Sequence, residues 1–283
     1  MNKYVTSEIM GGLGNQLFQI FHTIAYALKY ERQFFFEDIP ITNGWRTKEY
    51  WNTFLKHIKD HKYESDVSTE SMVDVGQPSF DYHEEGNIED RYIRFRGYFQ
   101  SYKYFYEQER EIFELIKISD LQREVLDKVP QDYSNVVSLH FRVGDYAQVQ
   151  EFHPLLSLEY YRLALVELIS DTHKDNWEIL CFCEEQDMDY ISEKIDQLHT
   201  IFPSLIFSIV NHSLDDWEQV ILMSLCRHHI IANSSFSWWG AYIKYQDNPS
   251  NTCVYYPTTW FGPGLGYKVL YDLFPSNWKN INI

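Results

Sequence analysis

Apolar and polar positions follow two rhythms along this chain. An alternating run at residues 3–8 enters closely spaced glycines, and residues 15–30 then repeat apolar positions at helical spacing. A strand, a tight turn and a helix are expected there, in that order. Residues 34–37 suit a second strand, and residues 42–86 are polar and irregular. The alternating stretch RYIRFRGYFQ (residues 91–100) predicts a strand leading into a helical run over 101–118. Beyond residue 133 the pattern is more regular. Apolar strands are predicted over 135–141, 178–182, 205–210, 229–232 and 252–256, with helical spacing over 157–171, 187–202, 214–227 and 235–245. Strands alternating with helices pack as a parallel sheet covered on both faces. The pattern therefore predicts an α/β protein of two domains, 1–132 and 133–283, with no internal repeat and no low-complexity linker. Open parallel sheets bind ligands outside the carboxyl ends of their strands. The loops after Phe141, Phe182, Val210 and Ala232 are thus the expected seats of chemistry.

Composition narrows the partners. The 283 residues carry a formal net charge of −17, which argues against a nucleic-acid backbone, since phosphate-tracking surfaces are basic. One local arginine is still enough to hold a nucleotide. No run of about eighteen apolar residues occurs, so no membrane span is expected. The opening MNKYVTSEI lacks the apolar core of a signal peptide. A location in the cytoplasm, or peripheral to the cytoplasmic membrane face, follows as an expectation. Cys181, Cys183, Cys226 and Cys253 lie in apolar runs without zinc-type pairing, the pattern of buried free thiols.

Three stretches carry candidate chemistry. The first is IMGGLGNQLFQIF, residues 9–21. A dinucleotide fingerprint needs G-x-G-x-x-G; Gly12 and Gly14 supply two glycines, but the third place is Leu17. A plain strand-to-helix turn explains the glycines. Asn15 and Gln16, at the helix start, add two amides where backbone N–H groups face an anion or a hydroxyl-rich ligand.

The second is SLHFRVGDYAQVQEFHP, residues 138–154. Read as a strand, it points His140 and Arg142 to one face and Phe141 to the other. An arginine at the end of a core strand needs an anion. Asp145 could be that partner and fix the loop; a phosphate or diphosphate would match the guanidinium fork bidentately. His140 by itself reads as a hydrogen-bonded core histidine.

The third is IIANSSFSWWGAYI, residues 230–243. Asn233, Ser234 and Ser235 suit helix N-capping, and Trp238, Trp239 and Tyr242 suit core packing. A second anion cradle at the helix N-terminus is the functional alternative, gripping a diphosphate opposite Arg142. Asp187-Met188-Asp189 spells the D-x-D of metal-dependent glycosyltransferases, but it opens a helix, where aspartates suit the dipole. No metal site and no cofactor are expected.

GGLGNQ with its helix, GYFQSYKYF, HFRVGDY and NSSFSWWGAY, in that order and spacing, resemble the α-1,2-fucosyltransferase family, of the glycosyltransferase family 11 type. The resemblance spans nearly the whole length. It implies a GT-B-like fold: two Rossmann-like domains facing a cleft, an acceptor-side N-terminal domain and a GDP-fucose-binding C-terminal domain. It also implies metal-independent, inverting transfer of fucose from GDP-β-L-fucose to a glycan acceptor, with O2 of galactose as the expected position. Arg142 corresponds to the usual β-phosphate ligand, and Asn15 to a residue near the transferred sugar. The donor set implied comprises Gly12, Gly14, Asn15, His140 and Arg142 on the earlier motifs. Asp216, Asn233, Ser234, Ser235 and Phe236 complete it. Asp145, Glu151 and His153 join Arg142 and Asn15 as catalytic candidates, the first three as possible bases. Phe152-His153-Pro154 is similar to an F-H-P of the α-1,6 branch. The chain departs from the family at Val143, where H-x-R-R-x-D has its second arginine, at Gln219, where many members have aspartate, and at CFCEE, where members often read F-S-D-D. Alternatives are another GDP-sugar transferase, a different fucosyl linkage, or a non-catalytic nucleotide-sugar or glycan-binding protein.

Overall fold

The computed structural model describes residues 2–38, 48–63, 71–247 and 249–283. Residues 39–47 and 64–70, part of which fall in the irregular stretch 42–86, lie outside the described residues. The chain forms two α/β units, Met1–Leu121 with Lys268–Pro275 and Gln122–Tyr267 with Ser276–Ile283.

In the first unit, β1 (Tyr4–Ser7) runs into α1 (Leu13–Lys29), then β2 (Gln33–Phe34). The expected strand over 34–37 is two short ones, because β3 (Phe36–Glu37) leaves β1 to pair with β4 (Lys62–Tyr63). With β5 (Val73–Gly76) and β6 (Tyr92–Arg96), the main sheet has the order β2-β1-β6-β5, all parallel. Helix α1 is buried from Leu13 to Ala27 with one exception, Asn15. The helix lies inside the core: Phe18, Phe21 and Ile24 have no exposed surface, and Gln16, Gln19, His22 and Thr23 are buried with them. The expected helix over 101–118 is shorter: a 3₁₀ turn at Tyr102–Tyr104 precedes α2 (Glu109–Ile116). Lys117, at φ +57°, ends α2 in the left-handed conformation, a common helix stop. The next helix, α3 (Ile118–Lys128), holds the division between the units. Residues after Leu121 sit with the second unit because Gln122 donates to Ser224 Oγ at 3.1 Å and Lys128 pairs with Glu218.

The second unit follows the predicted alternation. Its elements are β7 (Val136–His140), α4 (Leu158–Thr172), β8 (Glu178–Phe182), α5 (Met188–Ile201), β9 (Ile206–Ile209), α6 (Asp216–Leu225), β10 (His228–Ile230), α7 (Ser235–Asp247), β11 (Val254–Pro257) and β12 (Lys279–Ile281). The sheet order is β12-β11-β10-β7-β8-β9, again all parallel. Every residue of β7 is buried, whereas edge strand β9 alternates exposed and half-buried. Trp238, Trp239 and Tyr242 are fully buried, so the tryptophan pair belongs to the core. Burying one such ring stabilises by about 1.5–3 kcal/mol. Gly240 has a packing reason: a Cβ there would lie 2.5 Å from Met223 Cβ, so its absence lets α7 close on α6. The four thiols are free, and Cys253 is only half-buried. Among the described residues no helix is long and apolar enough to cross a membrane.

Topology marks where each sheet opens. From β7 the chain builds outward through β8 and β9, and the later strands β10, β11 and β12 fill the other side. The order therefore reverses between β7 and β10, which leaves a crevice at their carboxyl ends. In the first unit the same reversal falls between β1 and β6.

Candidate active site

Arg142 stands at the second unit's reversal point, two residues past the end of β7. The strand stops at His140, so the alternation expected to aim Arg142 does not apply; the loop aims it instead. Its side chain is 10% exposed and bonded to two carboxylates, Asp145 through Nη2 and Glu184 through Nη1, the latter at 2.5 Å. Its Cζ lies 4.4 Å from the centroid of the Tyr146 ring, a cation–π contact. Tyr146 stacks in turn on His153, centroids 4.7 Å apart and planes 22° from parallel, and its hydroxyl donates to Asn233 O at 3.2 Å. One phenol thus joins the loop after β7, the F-H-P stretch and the loop after β10. Neither Tyr146 nor Glu184 was singled out by its residue type; the CFCEE departure was the available signal for Glu184.

This loop system is tightly drawn. Gly144, at φ +36°, donates its N–H to Asp187 Oδ2 at 2.8 Å. Asp187 is thereby engaged as a loop anchor. Among the described residues no group of three or more His, Cys, Asp or Glu side chains is arranged to hold a metal. Burial, then the Asp187 and Glu184 carboxylates, push the Cys183 thiol up to about 11, a mark of how acidic this strand end is. Backbone of Glu151 and Phe152 is clasped by Gly264 and Gly262, whose N–H groups donate to it at 2.9 Å each. A Cβ on Gly262 would fall 2.3 Å from Glu151 O. The Glu151 side chain itself is exposed.

The residues after β10 divide between scaffold and site. Asn233 is buried, and its Nδ2 donates to Pro154 O at 2.9 Å and Trp260 O at 3.3 Å, so it holds neighbouring loops together. Ser234 is also buried, and its Oγ accepts from Phe236 N at 3.3 Å, the expected capping bond. His140 Nδ1 lies 2.9 Å from Ser237 Oγ, and its ring packs 5.5 Å from Phe236. Ser235 and Phe236 are half-buried, the members of this set with surface to offer a ligand. Asp216 begins α6 after β9, two strands from β7, and its carboxylate accepts from Trp217 N at 2.8 Å. Neighbouring Glu218 is occupied by the α6 capping box and by Lys128, and Gln219 donates to Leu214 O at 3.1 Å.

The first unit has its own constellation at its reversal point. Gly11, at φ +81°, makes the turn, whereas Gly12 is the helix N-cap and Gly14 lies within α1. A Cβ on Gly11 would meet Asn15 Nδ2 at 2.8 Å. Gln16 is structural: its Nε2 donates to Gly11 O and Lys48 O, both at 2.8 Å. Gln19, unsuspected from sequence, spans Met10 by accepting from its N–H and donating to its carbonyl. Asn15 accepts from Gln100 Nε2 at 2.7 Å, so GGLGNQ and GYFQ meet through one amide of each.

Comparison with known proteins matches the chain to a family. Residues 44–259 match the sequence profile of Glycosyl transferase family 11. An Escherichia coli alpha-1,2-colitosyltransferase is 31% identical over 176 residues, which is 60% of this chain and 56% of that protein. The E. coli O-antigen biosynthesis glycosyltransferase WbnK is 29% identical over 164 residues, 56% of this chain and 48% of that one. These matches thus span about half the length of the curated relatives. Among solved structures, an Arabidopsis thaliana FUT1 mutant in complex with GDP aligns over 99% of this chain and 76% of its own, at TM-score 0.52 and 12% identity. A family 9 glycosyl transferase from Veillonella parvula aligns over 100% and 87%, at TM-score 0.50 and 8% identity. The fold is α/β of the GT-B-like kind.

Proposed function

Because the chain belongs to glycosyl transferase family 11, we propose that it moves L-fucose from GDP-β-L-fucose to a hydroxyl of a glycan, O2 of a galactose being the expected position. The observation that carries this reading is Arg142 at the sheet's reversal point, a guanidinium fork where a diphosphate would lie. The GDP held by the FUT1 mutant supports a guanosine diphosphate donor. The α-1,2 linkage in the name of the colitosyltransferase relative supports the linkage. The second unit binds the donor and the first serves the acceptor side.

Bond breaking at C1 leaves negative charge on the departing β-phosphate. Stabilising that charge is the main catalytic task, and Arg142 with the Ser234–Ser235 turn performs it. A preorganised charge-assisted contact contributes about 1.5–3 kcal/mol, roughly ten- to a hundredfold in rate. Diphosphate leaves without a proton, so no general acid and no metal are needed. The acceptor oxygen attacks the face opposite GDP and turns a β-donor into an α-product. Its proton goes to a carboxylate or imidazole, with Asp145, Glu151 and His153 as the candidates; His153 is held by Tyr146 and Glu151 is exposed. Asn15 is assigned to the transferred sugar, the one residue between Leu13 and Ala27 that is not buried.

A second reading rests on the colitosyltransferase relative. Colitose is L-fucose without its 3-hydroxyl, so the same diphosphate grip would serve either donor. Incubation with GDP-fucose, GDP-colitose, GDP-mannose and a UDP-sugar, each with a β-galactoside, separates these readings. An α-1,2-fucoside, identified by NMR, is the expected product. Exclusive use of GDP-colitose would select the second reading, a β-linked product would overturn inversion, and no transfer from any donor would favour a binding protein.

A further inference from the structure

The Arg142 fork is already occupied by the protein's own carboxylates. Asp145 belongs to the same loop, three residues on, whereas Glu184 comes from the end of β8. Several features bring Glu184 there. A Cβ on Gly144 would sit 2.8 Å from Glu184 Oε2 and 2.9 Å from Arg142 Nη1, so a glycine is what lets the two meet. Gln186 Nε2 donates to Glu184 Oε2 at 3.0 Å. The Gly144–Asp187 bond ties the loop after β7 to the loop after β8. Charge is unbalanced: one guanidinium faces Asp145 and Glu184, with Asp187 beside them, and Val143 supplies no second cation. A diphosphate cannot join this cluster without adding repulsion. Of the two partners in the Arg142–Glu184 pair, Glu184 is the movable one, 35% exposed against 10%.

We propose that Glu184 is an internal stand-in for the donor's β-phosphate, resting on Arg142 while the site is empty and displaced when the nucleoside diphosphate binds. After transfer it competes with GDP for the same guanidinium and so speeds GDP departure. This rests on the reading of Arg142 as the diphosphate ligand and adds how that site is regulated.

GDP is the probe, measured on the whole chain by titration calorimetry and by stopped-flow dissociation. Glu184→Gln keeps the size and one of the two acceptor oxygens but removes the charge. It should bind GDP roughly two- to fivefold tighter and release it correspondingly more slowly, the scale of a partly exposed ion pair. Glu184→Asp, which retracts the carboxylate by one methylene, should tighten binding less and serves if the glutamine variant does not fold. Unchanged or weaker GDP affinity in a folded Glu184 variant overturns the stand-in, because Glu184 would then only orient Arg142. Arg142→Ala separates the two levels. Loss of GDP binding there upholds the diphosphate reading whatever Glu184 does, and wild-type affinity there overturns both.

Discussion

Arg142 rests on the face of Tyr146, its Cζ 4.4 Å from the ring centroid, and that same ring is stacked against His153. A guanidinium held over an aromatic ring loses little further freedom when it takes an anion. Tyr146 is therefore a positioning residue for Arg142. Tyr146→Phe, which keeps the ring and loses the bond to Asn233 O, should stay within a few-fold of wild type in GDP affinity. Tyr146→Leu removes the cation–π face, worth about 0.5–2 kcal/mol, and should weaken GDP binding about two- to thirtyfold. Equal GDP affinities for the two folded variants would contradict this role.

Arg142→Ala should lower transfer roughly ten- to a hundredfold, as loss of a charge-assisted contact at the leaving group implies. Arg142→Lys should recover little, because a point charge cannot engage a diphosphate as a fork. Donor KM, kcat and GDP affinity measured together check this. Near-native turnover in either variant would place the diphosphate elsewhere.

Gly144→Ala combines a left-handed backbone at φ +36° with a Cβ 2.8 Å from Glu184 Oε2. Strain of that kind costs roughly 1–3 kcal/mol. A lower denaturant midpoint is expected, together with altered GDP affinity, since the same Cβ crowds Arg142. A variant matching wild type in both would show that the loop relaxes freely.

Stability should fall on mild acidification. His228 Nδ1 accepts from Cys253 N at 3.0 Å, and burial, then the Arg227 and Lys174 charges, hold its pKa down at about 4. Burial likewise depresses His229, which adjoins Ser138. An unfolded histidine takes its proton near pH 6.5, whereas folded His228 resists until about pH 4. The unfolded chain thus binds more protons in that interval. The contribution is complete above pH 6.5 and is lost as pH falls from there toward 4, by up to roughly 3 kcal/mol for His228. Urea midpoints should be lower at pH 5 than at pH 7, and His228→Gln should flatten the dependence if it folds.

Chelation tests the metal-free mechanism. EDTA should leave initial rates near those of the untreated protein. Asp187→Asn should be nearly neutral, because the amide oxygen can still accept the Gly144 N–H that Asp187 accepts. Strict dependence of turnover on added Mn²⁺ or Mg²⁺ would sink this mechanism.

Local pattern alone determined a good deal of this protein. The alternation of strands and helices after residue 133 was readable because parallel strands buried on both faces are short continuous apolar runs, as β7 is. Helix α1 was readable for the same kind of reason, and Arg142 stood out as a charge at the end of such a run. Strands β4, β5 and β12 escaped because pairing with a neighbouring strand defines them, and helix α3 lay beyond the helical run expected to end at residue 118. Tertiary structure alone decided who meets whom. Glu184 reaches Arg142 from 42 residues away, Tyr146 reaches Asn233 from 87, and Asn15 meets Gln100 across 85. It also reassigned roles: Gly11 rather than Gly12 or Gly14 carries the turn, and Asn233 is a loop brace. Propensity and periodicity act over a few residues and so write strands and helices into the sequence. The charge balance around Arg142 depends on strand order, which brings the ends of β7, β8 and β10 together only once the sheet has formed.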